Sequence, residues 1–369
     1  MKNKFFPALA VLIGTTIGAG FLGIPYVVSK SGFMPGLAYL IFVAIFMFFV
    51  KLYLGEVILR TQGNHQLTGY AHKYLGRTGK TLMFFAMVFG IYSALVAYLM
   101  GEGQSLSYVI FGNFHFSFYF SLLFWLAMTF LTYIGLKALK KYSQISAIVM
   151  FTFIFLILIV FSSGIRTENL SYVNKEFMFV PFGVILFSFL AFSAMPEVRR
   201  ILLTKEKLFK KTIMLGMLIP LLIYIIFTFV VVGNFTNVSD IATFSLGRFF
   251  SLLAVITMFT AFFCLSLAIR DMFRFDFGWG RFRGWLLASF LPLILFLLIS
   301  IFKLASFIEI LALGGVVSGG LTGILVLLMN IKAKKLGNRN PEYSLPINWF
   351  VVFIFSLLFI AAVVLEFLY

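Results

Sequence analysis

Residues 14–25 read Gly-Thr-Thr-Ile-Gly-Ala-Gly-Phe-Leu-Gly-Ile-Pro and lie inside the first long apolar run of the chain. Gly14, Gly18, Gly20, Gly23 and Pro25 weaken a helix, while Thr15 and Thr16 bring hydroxyls to the same depth. A membrane helix broken there frees backbone N–H and C=O groups, which are tolerated only where protein or a watery cavity surrounds them. The freed groups then serve as ligands: a half-helix N-terminus suits a carboxylate and a C-terminus suits a cation. A second candidate for chemistry is Glu102, in Tyr-Leu-Met-Gly-Glu-Gly-Gln, the one acid placed well inside a span. An ionised acid near a helix centre costs roughly 2.5–3.5 kcal/mol, so Glu102 must face a polar interior or hold a proton, either of which makes it a proton-relay candidate. Tyr98 and Ser105 share its helix face.

The elements that position these residues are membrane spans. The chain is 62% hydrophobic and 11% charged, with mean hydropathy +1.08, outside the range of soluble proteins. Eleven apolar runs are expected to cross the bilayer, at about 5–29, 35–58, 81–111, 117–135, 144–163, 178–198, 210–233, 245–272, 285–302, 305–330 and 346–368. The opening Met-Lys-Asn-Lys is basic like a signal peptide, but the apolar run continues too far and no small-residue cleavage site follows, so it reads as a retained first span. Of 29 Lys and Arg residues, 23 fall in the segments on the N-terminal side of the membrane and five on the other, with Lys51 inside a span. That bias predicts a multi-pass protein of the cell membrane with its N-terminus inside and its C-terminus outside. It also accounts for the net charge of +17 without nucleic acid.

Other chemistries find little support. His65 and His72 fall in an inner loop and His115 in an outer one, so no metal-ligand spacing arises. No phosphate-binding Gly-x-x-x-x-Gly-Lys-Ser/Thr occurs, and the single Cys264 excludes an intramolecular disulfide and a cysteine metal cluster. The 51 Phe residues read as lipid-facing bulk, and the aromatic, charged stretch Arg270–Arg281 as an interfacial anchor. Glu56 and Arg60 are spaced as a structural i, i+4 pair. Glu309 opens the tenth span ahead of Gly314, Gly315, Gly319 and Gly320, which suit either a gate or close helix packing.

An inverted repeat with an odd number of spans per half requires a second broken helix five spans after the first. The sixth span supplies Phe187-Ser-Phe-Leu-Ala-Phe-Ser-Ala-Met-Pro-Glu197, where Ala191 precedes Pro196 as Gly20 precedes Pro25. With Ile-Gly-Ala-Gly-Phe-Leu-Gly-Ile-Pro in the first span, this stretch and the eleven-span pattern resemble permeases of the amino acid/polyamine/organocation superfamily. The branches most resembled are the amino acid/auxin permeases and the aromatic and hydroxy amino acid permeases. The resemblance covers nearly the whole chain. It implies an all-α membrane protein with the LeuT-type 5+5 inverted-repeat fold, a single domain over 1–369. Its halves would be 1–163 and 178–330, with 346–368 an accessory eleventh span.

The resemblance further implies that Thr16, Gly18, Ala19 and Gly20 hold a substrate carboxylate, with Phe187, Ser188, Ala191 and Ser193 completing the site from the sixth span. Sodium-coupled relatives complete an ion site with a hydroxyl pair on the eighth span. Here Thr260-Ala-Phe-Phe-Cys-Leu-Ser266 has no adjacent pair, which favours H⁺ over Na⁺ and leaves Ser266 as the ion-site candidate if sodium is used. The expected function is secondary transport by alternating access: H⁺-coupled import of a neutral or aromatic amino acid, with Glu102 carrying the proton, no cofactor and no enzymatic step. The alternatives are Na⁺ symport and, in a different class, a membrane amino-acid receptor. The expected partners are the amino-acid substrate and the lipid bilayer, and a monomer is compatible with the sequence.

Overall fold

The computed structural model describes residues 4–368, with the side chains of residues 136–143, 365, 367 and 368 outside the description. Lys2 and the side chains of Lys137, Lys140 and Lys141, counted among the basic segments, therefore lie outside the described residues. The first span is a pair, α1 (Phe5–Thr16) and α2 (Ala19–Ser31), bent by 44°. Ile17 (φ −88°, ψ 84°) and Gly18 (φ −120°, ψ −142°) carry the break. Pro25 does not, because it sits inside α2, where the helix survives the loss of one donor.

Spans two to five are α3 (Phe33–Leu59), α4 (Leu67–Phe111), α5 (Ser117–Ile134) and α6 (Leu136–Phe161). The short α7 (Thr167–Ser171) lies in the connection to span six. That span is α8 (Pro181–Ser188), a 3₁₀ turn over Phe192–Ala194 and α9 (Met195–Leu202). Then come α10 (Phe209–Asn234), α11 (Leu252–Asp276) and α12 (Arg281–Phe302). Span ten is α13 (Phe307–Leu313), a π turn over Gly314–Ser318 and α14 (Gly319–Leu336); α15 (Trp349–Leu368) is last. Among the described residues, nine helical stretches qualify as spans by length and apolarity, the bent first pair makes a tenth, and α15 supplies a shorter apolar helix. Each of the eleven expected spans is built on helix, although the eighth starts at Leu252 rather than at 245. Phe42, Ile45 and Phe49 on α3 and Phe151, Phe155 and Ile159 on α6 are exposed, a surface that hydrocarbon rather than water would cover.

Two segments depart from the sequence expectation. α4 begins at Leu67 rather than near residue 81, because Leu67, Tyr70, Ala71 and Tyr74 form a buried stripe at helical spacing. Gly76 joins that piece to the span at φ 71°, a conformation that only glycine adopts without strain. α11 runs on to Asp276, so Arg270 and Asp271 are helical and buried rather than anchored at an interface.

Arg270 and Asp271 belong to a charged network that joins several elements at the basic end of the molecule. Arg200 of α9 bonds Glu197 at 2.7 Å and Asp271 of α11 at 2.9 Å, and Arg270 pairs with Asp271 at 2.9 Å. Gln66, before α4, donates to Glu197 at 2.9 Å, and Arg270 donates to the Thr132 carbonyl of α5 at 2.5 Å. A second cluster surrounds the expected Glu56–Arg60 pair. Glu56 is fully buried and also accepts from Lys334 at 3.1 Å, from the Ser344 hydroxyl at 2.8 Å and from the Leu345 amide at 2.9 Å. Breaking one partner of a buried pair costs about 3–5 kcal/mol, because the other charge is left uncompensated. Arg200→Gln should therefore lower the thermal unfolding temperature of the detergent-solubilised protein markedly, and an unchanged melting curve would show that Glu197 has no need of the guanidinium.

Candidate functional site

The two breaks lie against each other at the centre of the bundle. Span six unwinds between α8 and its 3₁₀ turn, where Ala191 adopts φ 40° and ψ 22°, a left-handed geometry unusual for a residue with a side chain. Pro196 stands in the first turn of α9, where a missing N–H costs nothing. A Cβ added to Gly20 would collide with the Ser188 hydroxyl and lie 2.9 Å from the Ser188 Cα. One added to Gly18 would collide with the Tyr98 hydroxyl and lie 2.8 Å from the Ala261 Cβ. These glycines are required by close approach of neighbouring helices.

A cavity of about 50 Å³ sits between the breaks, and Thr16, Gly20, Phe187, Ala191 and Ser193 of the expected site line it. Gly18, Ala19 and Ser188 do not line it. Gly18 faces Tyr98 and Ala261, Ala19 is fully buried, and Ser188 packs on Gly20 with its hydroxyl donating to the Val184 carbonyl at 2.7 Å. The structure adds Thr15, Tyr98, Leu265, Ser318 and Thr322, with a stripe on α4 at Met87, Gly90, Ile91 and Ala94. Spacing along α4 carried the signal for that stripe, but a helix with apolar residues all round does not show which face is inward. The cavity is far below the roughly 300–1,000 Å³ of ordinary ligand pockets, so little free space is left between the breaks in this conformation.

The glycines of span ten serve this packing. A Cβ on Gly315 would meet the Phe187 Cβ and amide at 2.8 Å each, and one on Gly319 the Leu190 side chain at 2.7 Å. Glu309 instead closes a capping box with Ser306 at the start of α13.

Glu102 lies one turn beyond Tyr98 on α4, is 1% exposed, and its Oε2 has no hydrogen-bond partner among the described residues. It does not line the cavity. Ser105 does not bond to it, donating instead to the Gly101 carbonyl at 2.7 Å. Ser266 is buried with an unpartnered hydroxyl and stands outside the cavity, which Leu265 lines. A smaller space of about 10 Å³ lies behind the first break, lined by Gly14, Ile17, Ser146, Thr257 and Thr260 among others. Thr257 and Thr260 stand three apart on α11, a helical-face pairing that a search for adjacent hydroxyls passes over. Their hydroxyls donate to carbonyls of their own helix, leaving oxygen lone pairs.

Two opposed broken helices around a shared midpoint define a LeuT-type transporter fold. The structure matches the crystal structure of MhsT in complex with L-phenylalanine with a TM-score of 0.68 and 14% identity, over 98% of this chain and 97% of that one. A sequence model of the tryptophan/tyrosine permease family matches residues 1–244, and the chain belongs to that family. It is similar to glutamine transporter 2 of Aliivibrio fischeri, 24% identical over 315 residues, covering 80% of this chain and 81% of the relative. It is also similar to tyrosine-specific transport system 2 of Haemophilus influenzae, 26% identical over 235 residues, 61% of this chain and 57% of the relative.

Overpacking a tight contact costs about 1–3 kcal/mol. Gly20→Ala should therefore melt several degrees below wild type, because the new methyl must push Ser188 and the backbone of α8 away. Equal melting temperatures would mean that the contact between the breaks is slack.

Proposed function

We propose that the chain carries a neutral or aromatic amino acid across the cell membrane by alternating access, driven by protons. The observation that carries this reading is the central cavity, where Thr16, Gly20, Phe187, Ala191 and Ser193 from the two breaks come together. α2 starts beside the cavity, where the Tyr98 hydroxyl takes the Ala19 amide and the amides that follow, from Gly20 on, are suited to a carboxylate. Unwound carbonyls beside them suit an ammonium group, and Phe187 with Tyr98 offers aromatic surface to a side chain. The names of the relatives, one a glutamine and one a tyrosine transporter, support a neutral substrate without choosing between them.

In this reading spans one to five (1–163) and six to ten (178–330) are the inverted halves, 346–368 is accessory, and the N-terminus is inside. Gly18, Ala19 and Ser188 shape the breaks, Glu102 carries the proton, and no covalent chemistry occurs. One observation favours a second reading. The small, apolar space beside Gly14 and Ile17 has Thr257 and Thr260 at its wall, and their oxygens keep lone pairs after donating to their own helix, the donor type Na⁺ prefers.

Uptake of labelled amino acids into liposomes, with proton and sodium gradients imposed separately, tests both. Accumulation under the proton gradient alone supports the first reading. Accumulation under sodium alone, abolished by Thr260→Val, would replace it with the second. Binding without accumulation under either would make the protein a receptor. Glu102→Gln should retain exchange of internal for external substrate while losing uphill uptake by at least about tenfold, the loss expected of a proton carrier. Undiminished proton-driven accumulation would remove Glu102 from the mechanism.

A further inference from the structure

One side chain of span seven touches both breaks. Thr16 is the last residue of α1 and Ser188 the last of α8, so their carbonyls are among the terminal groups that a helix leaves without a donor of its own. Both accept from the same phenol: the hydroxyl of Tyr224 on α10 stands 2.7 Å from the Thr16 oxygen and 3.0 Å from the Ser188 oxygen. Tyr224 is fully buried, stacked at 5.8 Å on Phe21 of α2 and tilted at 5.1 Å against Phe189, just past α8.

The geometry points to Tyr224 as a positioning residue of transport, a tie that holds the broken first and sixth spans as one body and fixes their spacing around the cavity. The inference rests on the proposed amino-acid transport. Two helix C-termini carry like partial charges and repel unless something positive lies between them. A phenol has one proton, and here it is shared between the two carbonyls. Water or a free cation at that point would leave with each opening of the site, whereas Tyr224 is fixed to α10. The side chains of the breaks do not substitute for it, because Thr16 donates to the Leu12 carbonyl at 2.8 Å and Ser188 to the Val184 carbonyl at 2.7 Å. Within span one, the Gly18 amide reaches the Thr16 carbonyl at 3.2 Å, but that bond does not cross to span six. Tyr224 is not among the residues lining the cavity, so it acts on substrate through the two breaks.

The test compares wild type with Tyr224→Phe, which keeps the ring and removes only the hydroxyl. In liposome uptake, KM should rise about tenfold, the factor given by loss of one buried hydrogen bond, while Vmax stays within about twofold. A purely structural loss would reduce the amount of working protein, and so Vmax, and leave KM alone. In a second measurement, spin labels replace Phe6 of α1 and Leu203, the residue just past α9, both exposed and at the same end of the bundle, in a Cys264→Ser background. The distribution of distances between the labels should broaden in Tyr224→Phe. An unbroadened distribution would overturn the tie. Broadening with a wild-type KM would overturn its part in positioning the site. If the wild type itself accumulates no amino acid, the proposed function fails, and the label distances still decide whether Tyr224 binds the two spans together.

Discussion

A backbone group freed inside a membrane must find a partner within the protein, and the centre of this molecule is organised by that requirement. At the break of span one, the Thr15 and Thr16 hydroxyls turn back onto the Val11 and Leu12 carbonyls, and the terminal carbonyl goes to Tyr224. At the break of span six, Ser188 turns back onto Val184, and its own carbonyl goes to the same phenol. The carbonyl ends of both half-helices are thus covered by protein. At the amide end of α2 the Tyr98 hydroxyl accepts from the Ala19 amide, so that end too is met by a side chain.

Glycine distribution made much of this legible in the sequence. Gly18 and Gly20 were readable as the place where span one opens, and the run around Ala191 as its counterpart, since small residues beside a proline have few other uses in a long apolar helix. The proline itself misled. Pro25 is the more conspicuous helix breaker, yet the chain bends at Ile17–Gly18, where Tyr98 and Ala261 come too close to Gly18 for any side chain at that position. Pattern alone could not disclose Tyr224, which sits in an apolar span and gains its role only when two other spans are brought to it. The Leu67–Leu75 helix was hidden for the opposite reason: its buried stripe is short and interleaved with Lys73 and His72, so hydropathy reads it as loop.

Charge placement followed the same division. The basic bias was visible at once, but its use was not. Part of it is spent inside the protein, where Arg200, Arg270 and Lys334 neutralise Glu197, Asp271 and Glu56 and bind spans two, six, eight and ten to the intervening loops. Topology statistics count such residues as orientation signals, although burial has turned several into structural cations. The two clusters lie at one end of the bundle, away from the breaks.

Coupling depends on which buried oxygens lack partners. Glu102 keeps an unpartnered carboxyl oxygen one turn above Tyr98, and Tyr98 in turn packs on Gly18 at the break. Glu102 and Tyr98 stand one helical turn apart on α4, which puts the buried carboxyl near a side chain that packs on the first break. Thr257 and Thr260 connect to the same break from behind, through Gly14 and Ile17. The two groups of residues stand on helices that pack on each other and on the first break, where Tyr98 of α4 and Ala261 of α11 both meet Gly18.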